Sequence, residues 1–215
     1  MQALQKRRLD MQKIVPPLSS AGDEIRIVAP SRGIKIIGVD SRELAAQRFA
    51  QMGLKVSLGR YTTDDNWDLM GTSAIEQRAA DIMDAFEDSN VKAIFTIIGG
   101  FNSNQLLPFL DYDIIRKNPK IFCGFSDITA LLNGIYARSG LVTFSGPHYS
   151  SFGMLKGFDY TWKCMKDMLL EGGQYQLTPS AVWRDDLWFI DQQNRTFEAN
   201  EGYWNIQSGD AEGVV

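Results

Sequence analysis

The order of apolar segments constrains this chain more than any other feature. Short apolar runs recur at Ile25–Ala29, Leu54–Leu58, Ala93–Ile98, Ile121–Cys123 and Leu141–Phe144. Between them, apolar residues return every three or four positions. Examples are Leu44, Ala45, Phe49 and Met52; Ile75, Ala79, Ile82, Met83 and Phe86; and Ile128, Leu131, Leu132, Ile135 and Tyr136. Near-continuous runs read as buried strands and the longer period reads as helix faces. Parallel neighbours need a crossover, and a helix supplies it. The chain is therefore predicted to be α/β, with a parallel, flavodoxin-like sheet and helices on both faces. Ser41 reads as the cap of the first helix. A helix over Asn104–Lys117 is interrupted or delayed by Pro108, and another is predicted over Phe158–Leu170.

The texture changes from Gly172 onward. Tyr175, Trp183, Trp188, Tyr203 and Trp204 lie in short β-like pieces without a helical period. This predicts one α/β domain over residues 1–170 and the beginning of a mainly β domain over 171–215.

Composition excludes several classes. The chain has 215 residues, is 44% hydrophobic and 22% charged, and carries a net charge of -4. That is a globular composition able to bury a core. The short basic run Lys6-Arg7-Arg8 is a poor nucleic-acid footprint, so no nucleic-acid partner is predicted. No apolar run approaches the ~18 residues of a membrane span, and no membrane association is predicted. The first residues lack an apolar signal core, which makes cytoplasmic the default location. Cys123 and Cys164 are too few for a disulfide framework, and Cys123 reads as a reduced core thiol. No Cys/His cluster suits zinc and no P-loop is present, so neither a metal nor a cofactor is predicted.

The stretch with most chemical content is Ile121 to Tyr136. A short strand breaks at Gly124-Phe125-Ser126-Asp127 and a helix follows. That places Ser126 at the carboxyl end of the sheet, where open α/β sheets bind ligands, and beside unpaired helix N–H groups. This is the setting of a nucleophile elbow, although Ile128 stands where a second glycine would complete G-x-S-x-G. Taken alone, the stretch reads more readily as Ser126 or Asp127 capping the helix, since caps are far commoner than nucleophiles.

Gly99-Gly100 follows the third strand. Glycines there permit positive φ and close backbone approach to a ligand, or simply a tight turn. Their N–H groups and that of Asp127 are candidate oxyanion donors. Asn102-Ser103-Asn104 can orient a substrate or cap the next helix. Ser31, after the first strand, reads as a turn residue. His148 is the only histidine. It follows the fifth strand and is either a base for Ser126 or a histidine satisfied by nearby backbone. Trp183 and Trp188 flank Arg184-Asp185-Asp186, a pattern that stacks on a flat ligand or fills a small core.

Several separated motifs then coincide in one order. They are Thr96-Ile97-Ile98-Gly99-Gly100-Phe101-Asn102-Ser103-Asn104, Leu110-Asp111-Tyr112, Asn118-Pro119-Lys120, and Gly124-Phe125-Ser126-Asp127-Ile128-Thr129-Ala130-Leu131. Together they resemble the LD-carboxypeptidase and microcin C immunity family of serine peptidases. The resemblance implies Ser126 as nucleophile, Gly100 and Asp127 as oxyanion donors, and Glu212 as the triad glutamate. It places Gly99, Asn102, Ser103, Trp183 and Arg184 as substrate contacts. It also implies a metal-independent homodimer. The family's triad histidine lies beyond Glu212 and is not His148, so the chain is expected to stop short of its base and to be inactive alone. The Gly99–Asn104 loop and the Trp183–Trp188 segment resemble the microcin C immunity branch. A small-molecule aminoacyl-nucleotide or peptide substrate is then expected. Alternatives are trimming of D-alanine from muropeptide tetrapeptides, or ligand binding without catalysis.

Overall fold

A computed structural model of the chain describes residues 12–63, 68–174, 176–187, 189–202 and 209. Its centre is a five-stranded sheet of β1 (Glu24–Val28), β2 (Lys55–Leu58), β3 (Val91–Thr96), β4 (Ile121–Gly124) and β5 (Phe144–Ser145). The strands are ordered β2-β1-β3-β4-β5 and every pair is parallel. The chain moves outward from β1 to β2, returns to β3 and continues the other way. Loops that leave β1 and β3 in opposite directions open a crevice at the carboxyl ends of the strands.

Side-chain alternation along each strand divides the core into two layers. Ile25, Ile27, Phe95 and Cys123 point to one face. There they meet Ala45 and Phe49 of helix α1 (Val39–Gln51) and Met165 of α5 (Asp159–Lys166). Phe49 and Phe152 pack there with ring centroids 4.3 Å apart. Val28, Ile94 and Phe122 point to the other face. They meet Ile82 and Phe86 of α2 (Ile75–Glu87), Ile115 of α3 (Tyr112–Lys117), and Leu131 and Ile135 of α4 (Thr129–Ser139). The parallel sheet covered by helices on both faces is as predicted.

Several boundaries differ for physical reasons. Helix α1 begins at Val39 without a side-chain cap, and Ser41 is buried inside it. Gly153 packs so closely there that a Cβ on it would lie 2.5 Å from the Ser41 carbonyl oxygen. The helix predicted over 104–117 divides into a 3₁₀ stretch, Ser103–Phe109, and α3. Pro108 lies in the first piece, and the Asp111 carboxylate caps the second by accepting from the Asp113 and Ile114 amides. The fifth strand is shorter and later than predicted. Leu141 instead forms an isolated parallel bridge with Ile14, near the start of the described chain.

After α5, a π-helical turn, Asp167–Glu171, ends at Gly172, whose φ is 66°. The remaining described residues include one small antiparallel pair, β6 (Val182–Trp183) and β7 (Glu198–Ala199). Trp188, Trp204, Tyr175, Tyr203 and Glu212 lie outside the described residues. Among the described residues, no helix is long and apolar enough to cross a membrane.

Candidate active site

Strand β4 ends at Gly124, Phe125 remains extended, and Ser126 turns sharply into a 3₁₀ turn that feeds α4. Ser126 has a φ of 59° and, among the described residues, is the one non-glycine with positive φ. A left-handed conformation costs an L-residue roughly 1–2 kcal/mol. Such strain persists only where the surroundings hold it, and it concentrates at functional sites. Gly124 makes the bend possible, because a Cβ there would lie 2.3 Å from Thr96 Oγ1 and 3.0 Å from Ile128 Cγ2. Neither Ser126 nor Asp127 caps the helix with its side chain.

Gly99 and Gly100 lie against this bend. A Cβ on Gly99 would stand 3.3 Å from Ser126 Oγ and 3.5 Å from the Asp127 amide nitrogen. A Cβ on Gly100 would stand 2.0 Å from Ser31 Oγ. Neither glycine has positive φ. Close approach, and not left-handed backbone, is therefore why glycine is needed at both positions.

The Asp127 carboxylate holds the neighbouring loop in place. Its Oδ2 accepts from the Asn102 amide at 3.1 Å and the Ser103 amide at 3.0 Å. Ser103 Oγ donates to the Asp127 carbonyl at 2.7 Å. Asn102 Oδ1 accepts from Ser31 Oγ at 2.9 Å. Asn102 and Ser103, both expected as substrate contacts, thus also bond within the protein. Ser31 is buried and belongs to the same network, which its reading as a turn residue did not foresee.

His148 lies under the elbow. Its ring stacks on Phe125 at 4.2 Å, and its Nδ1 is 2.7 Å from Thr96 Oγ1. Thr96 Oγ1 is also 3.3 Å from the Cys123 carbonyl. One proton is shared between Nδ1 and Thr96 Oγ1, and the ring's tautomer sets which of them donates. Nε2 is buried and has no hydrogen-bond partner among the described residues. Burial pushes the imidazole down to about 4, with the Phe125 backbone opposing. The ring is thus buried, with a side-chain partner at Nδ1. Burial also pushes the free Cys123 thiol up, in keeping with an inert core thiol.

One group in the site carries no sequence prediction. Arg78, on the first turns of α2, is buried. Its Nη1 donates to the Pro30 carbonyl at 2.7 Å, and its Nη2 donates to Gln105 Oε1 at 2.8 Å. Its spacing held a signal: Ile75, Arg78, Ile82 and Ala85 share one helical face, so the arginine stands at a core position.

Trp183 and Arg184 are on and just after β6. Trp183 pairs in register with Glu198 and is exposed. Arg184 forms an exposed ion pair with Glu198 at 3.0 Å. A largely apolar cavity of about 540 Å³ borders Phe125, Phe144, Pro147 and Met165. Ser126, Gly99 and Gly100 do not line it, so it is distinct from the crevice where the candidate residues meet.

Residues 25–146 match the family model described as the LD-carboxypeptidase N-terminal domain. The chain belongs to the LD-carboxypeptidase family. It is 44% identical over 211 residues to a putative carboxypeptidase of Treponema pallidum, covering 98% of this chain and 61% of that protein. The crystal structure of an MccF-like protein from Bacillus anthracis superposes with a TM-score of 0.84 at 47% identity, over 88% of this chain and 57% of that one. The microcin C7 self-immunity protein MccF in complex with aspartyl sulfamoyl adenosine superposes with a TM-score of 0.79 at 31% identity, over 86% of this chain and 57% of that one. The chain thus spans about three fifths of the length of these relatives.

Proposed function

We propose that this chain carries the nucleophile of a serine carboxypeptidase-like hydrolase acting on aminoacyl or peptidyl nucleotides. The observation that supports this most is Ser126. A strained serine at the carboxyl end of a central strand, with Gly99 against its side chain, resembles the turn that presents a nucleophile to a crevice. In this reading Ser126 Oγ attacks the substrate's acyl carbon and the carbonyl oxygen becomes an oxyanion. The amides of Gly100 and Asp127 stabilise it. The bond from the acyl carbon to the sulfamoyl or phosphoramidate nitrogen breaks, and that nitrogen takes a proton. Water then cleaves the acyl-serine. The proton acceptor is not assigned to His148, whose Nδ1 bonds Thr96 and whose pKa is about 4. Glu212 is assigned by resemblance as the carboxylate that orients the base. Residues 171–215 are assigned to a second, β-rich domain.

The aminoacyl nucleotide is favoured as substrate by the relative that binds aspartyl sulfamoyl adenosine. It is also favoured by the exposed Trp183, a surface on which a purine can stack. The test is to mix the protein with aspartyl sulfamoyl adenosine and follow release of free aspartate. Release that disappears in Ser126→Ala supports the reading, and equal release by Ser126→Ala sinks it. The family description gives a second reading, cleavage of a muropeptide tetrapeptide ending in D-alanine. Turnover of that peptide without turnover of the adenosine compound would select it.

A further inference from the structure

Stability alone does not account for Arg78. A buried charge is costly, and hydrophobic residues of similar volume often replace buried charged groups without loss. Arg78 is 3% exposed, and burial pushes its guanidinium below its usual range. Its hydrogen-bond acceptors are all neutral oxygens. Nε donates to the Ser73 carbonyl at 2.9 Å. Nη1 donates to the Pro30 carbonyl at 2.7 Å and, at 3.4 Å each, to the Asn102 carbonyl and Oδ1. Nη2 donates to Gln105 Oε1 at 2.8 Å. A planar fork of five donors is the side chain able to bond so many diverging carbonyls at once.

These acceptors belong to separate segments. Pro30 is in the loop after β1, Ser73 precedes α2, Asn102 is in the loop after β3, and Gln105 is in the 3₁₀ stretch that follows it. One turn along the same helix, the Asp81 carboxylate accepts from the Tyr61 amide at 3.0 Å and so holds the loop after β2. The two charged residues are thus buried at the amino-terminal half of α2, each holding loops at the carboxyl edge of the sheet. From Pro30 the chain runs directly into Ser31, the contact of Gly100. From Asn102 it runs back through Phe101 to Gly100, and its amide reaches the Asp127 carboxylate.

We propose that Arg78 is a positioning residue for the nucleophile, acting through Pro30 and Asn102 to fix the Gly99–Gly100 peptide against Ser126. This rests on the reading of Ser126 as nucleophile, but its structural half is measurable without it. A lysine at 78 keeps the charge and loses the fork, so it should not substitute.

The experiment compares wild type, Arg78→Lys, Gln105→Ala and Lys120→Met by two readouts. Gln105 is exposed, so its substitution loosens the Nη2 contact without disturbing the core. Lys120 is a buried cation that donates to the Ala85 and Asp88 carbonyls at the far end of α2, and it serves as the control. Amide hydrogen exchange reads the loop, and the rate of Ser126 labelling by a fluorophosphonate reads the chemistry. Arg78→Lys should speed exchange at residues 99–103 while β3 exchange stays at the wild-type rate. Its labelling should slow by about 100-fold, the penalty that accompanies a misplacement of ~1 Å. Gln105→Ala should move both readouts the same way by less, and Lys120→Met should move neither. Wild-type exchange at 99–103, or wild-type labelling, in a folded Arg78→Lys overturns the proposal. If Arg78→Lys does not fold, the same outcomes in Gln105→Ala decide. An unlabelled wild-type Ser126 would count against the nucleophile reading, and loop exchange would still decide the positioning role.

Discussion

A methyl group built on Gly99 would sit 3.2 Å from Ser126 Cβ and 3.3 Å from Ser126 Oγ. The same point is 3.5 Å from the Asp127 amide nitrogen. The space it would fill is thus bounded by the proposed nucleophile and a proposed oxyanion donor. Gly100 turns its own missing side chain the other way, toward Ser31.

The two adjacent glycines should therefore fail differently when replaced. Gly99→Ala meets contacts that need only a few tenths of an ångström of relief, so the fold should survive with a small fall in melting temperature. Its methyl occupies the reaction space, and Ser126 labelling by a fluorophosphonate should drop by at least about 100-fold, the size of losing an oxyanion donor. Gly100→Ala drives a methyl to within 2.0 Å of Ser31 Oγ and should destabilise by about 1–3 kcal/mol, the usual penalty of overpacking. Adding Ser31→Gly should recover part of that stability. Urea titrations and labelling rates on the set check this. A Gly99→Ala protein that labels normally would place the reaction elsewhere.

The strain at Ser126 has a direct thermodynamic readout. At a φ of 59°, alanine keeps the left-handed penalty and glycine does not. Ser126→Gly should therefore be more stable than Ser126→Ala by about 1 kcal/mol, the low end of the cost of a left-handed residue. Chemical denaturation of both variants measures it. An alanine variant at least as stable as the glycine variant would mean the turn is unstrained in solution.

Much of this site was legible in the sequence because its parts obey local rules. The strand run Ile121–Cys123, the break at Gly124 and the helical period from Ile128 announce the elbow without any tertiary information. Gly99-Gly100 after a strand likewise announces close approach, although the reason differs. Loop placement was less legible. The Asp127 carboxylate looks like a cap in sequence, and only the crossing of β3 beside β4 brings the Asn102 and Ser103 amides to it. Leu141 pairs with Ile14, a partner separated from it by most of the sheet, so period alone starts β5 too early. Arg78 was missed because a charged residue near a helix start is usually solvated. Its core spacing beside Ile75 and Ile82 was the available clue.

His148 gives the fold a pH dependence of predictable sign. Its ordinary pKa is 6.5, and burial lowers it to about 4 in the folded chain. Between those values the unfolded chain binds the proton and the folded chain does not. Stability from this group is therefore complete above about pH 6.5 and falls as pH drops toward 4, below which the loss is complete. At about 1.36 kcal/mol per pH unit the full change is about 3 kcal/mol. His148→Gln cannot titrate, so the stability gap between it and wild type should shrink by that amount from pH 7 to pH 4. Denaturation at several pH values checks this. A constant gap would mean that the imidazole is accessible to protons in the folded chain, which would revive it as a base.

Trp183 supplies the last prediction, which concerns the ligand and not the fold. The residue is 50% exposed and it belongs to a strand of two residues. Exposed substitutions away from packed features usually change stability by less than about 0.5 kcal/mol, so Trp183→Ala should melt close to wild type. Stacking a base on an aromatic ring contributes about 1–3 kcal/mol. Affinity for aspartyl sulfamoyl adenosine should then fall by roughly 5- to 150-fold, with Trp183→Phe in between. Arg184→Ala should matter less, because its guanidinium pairs with Glu198 in an exposed bridge and such pairs contribute ~0–1 kcal/mol. Calorimetric titration of the adenosine compound into each variant, made in the Ser126→Ala background to prevent turnover, separates these effects. Unchanged affinity in a well-folded Trp183→Ala would remove the purine from this tryptophan. A large fall in melting temperature would instead make Trp183 a packing residue of the small sheet.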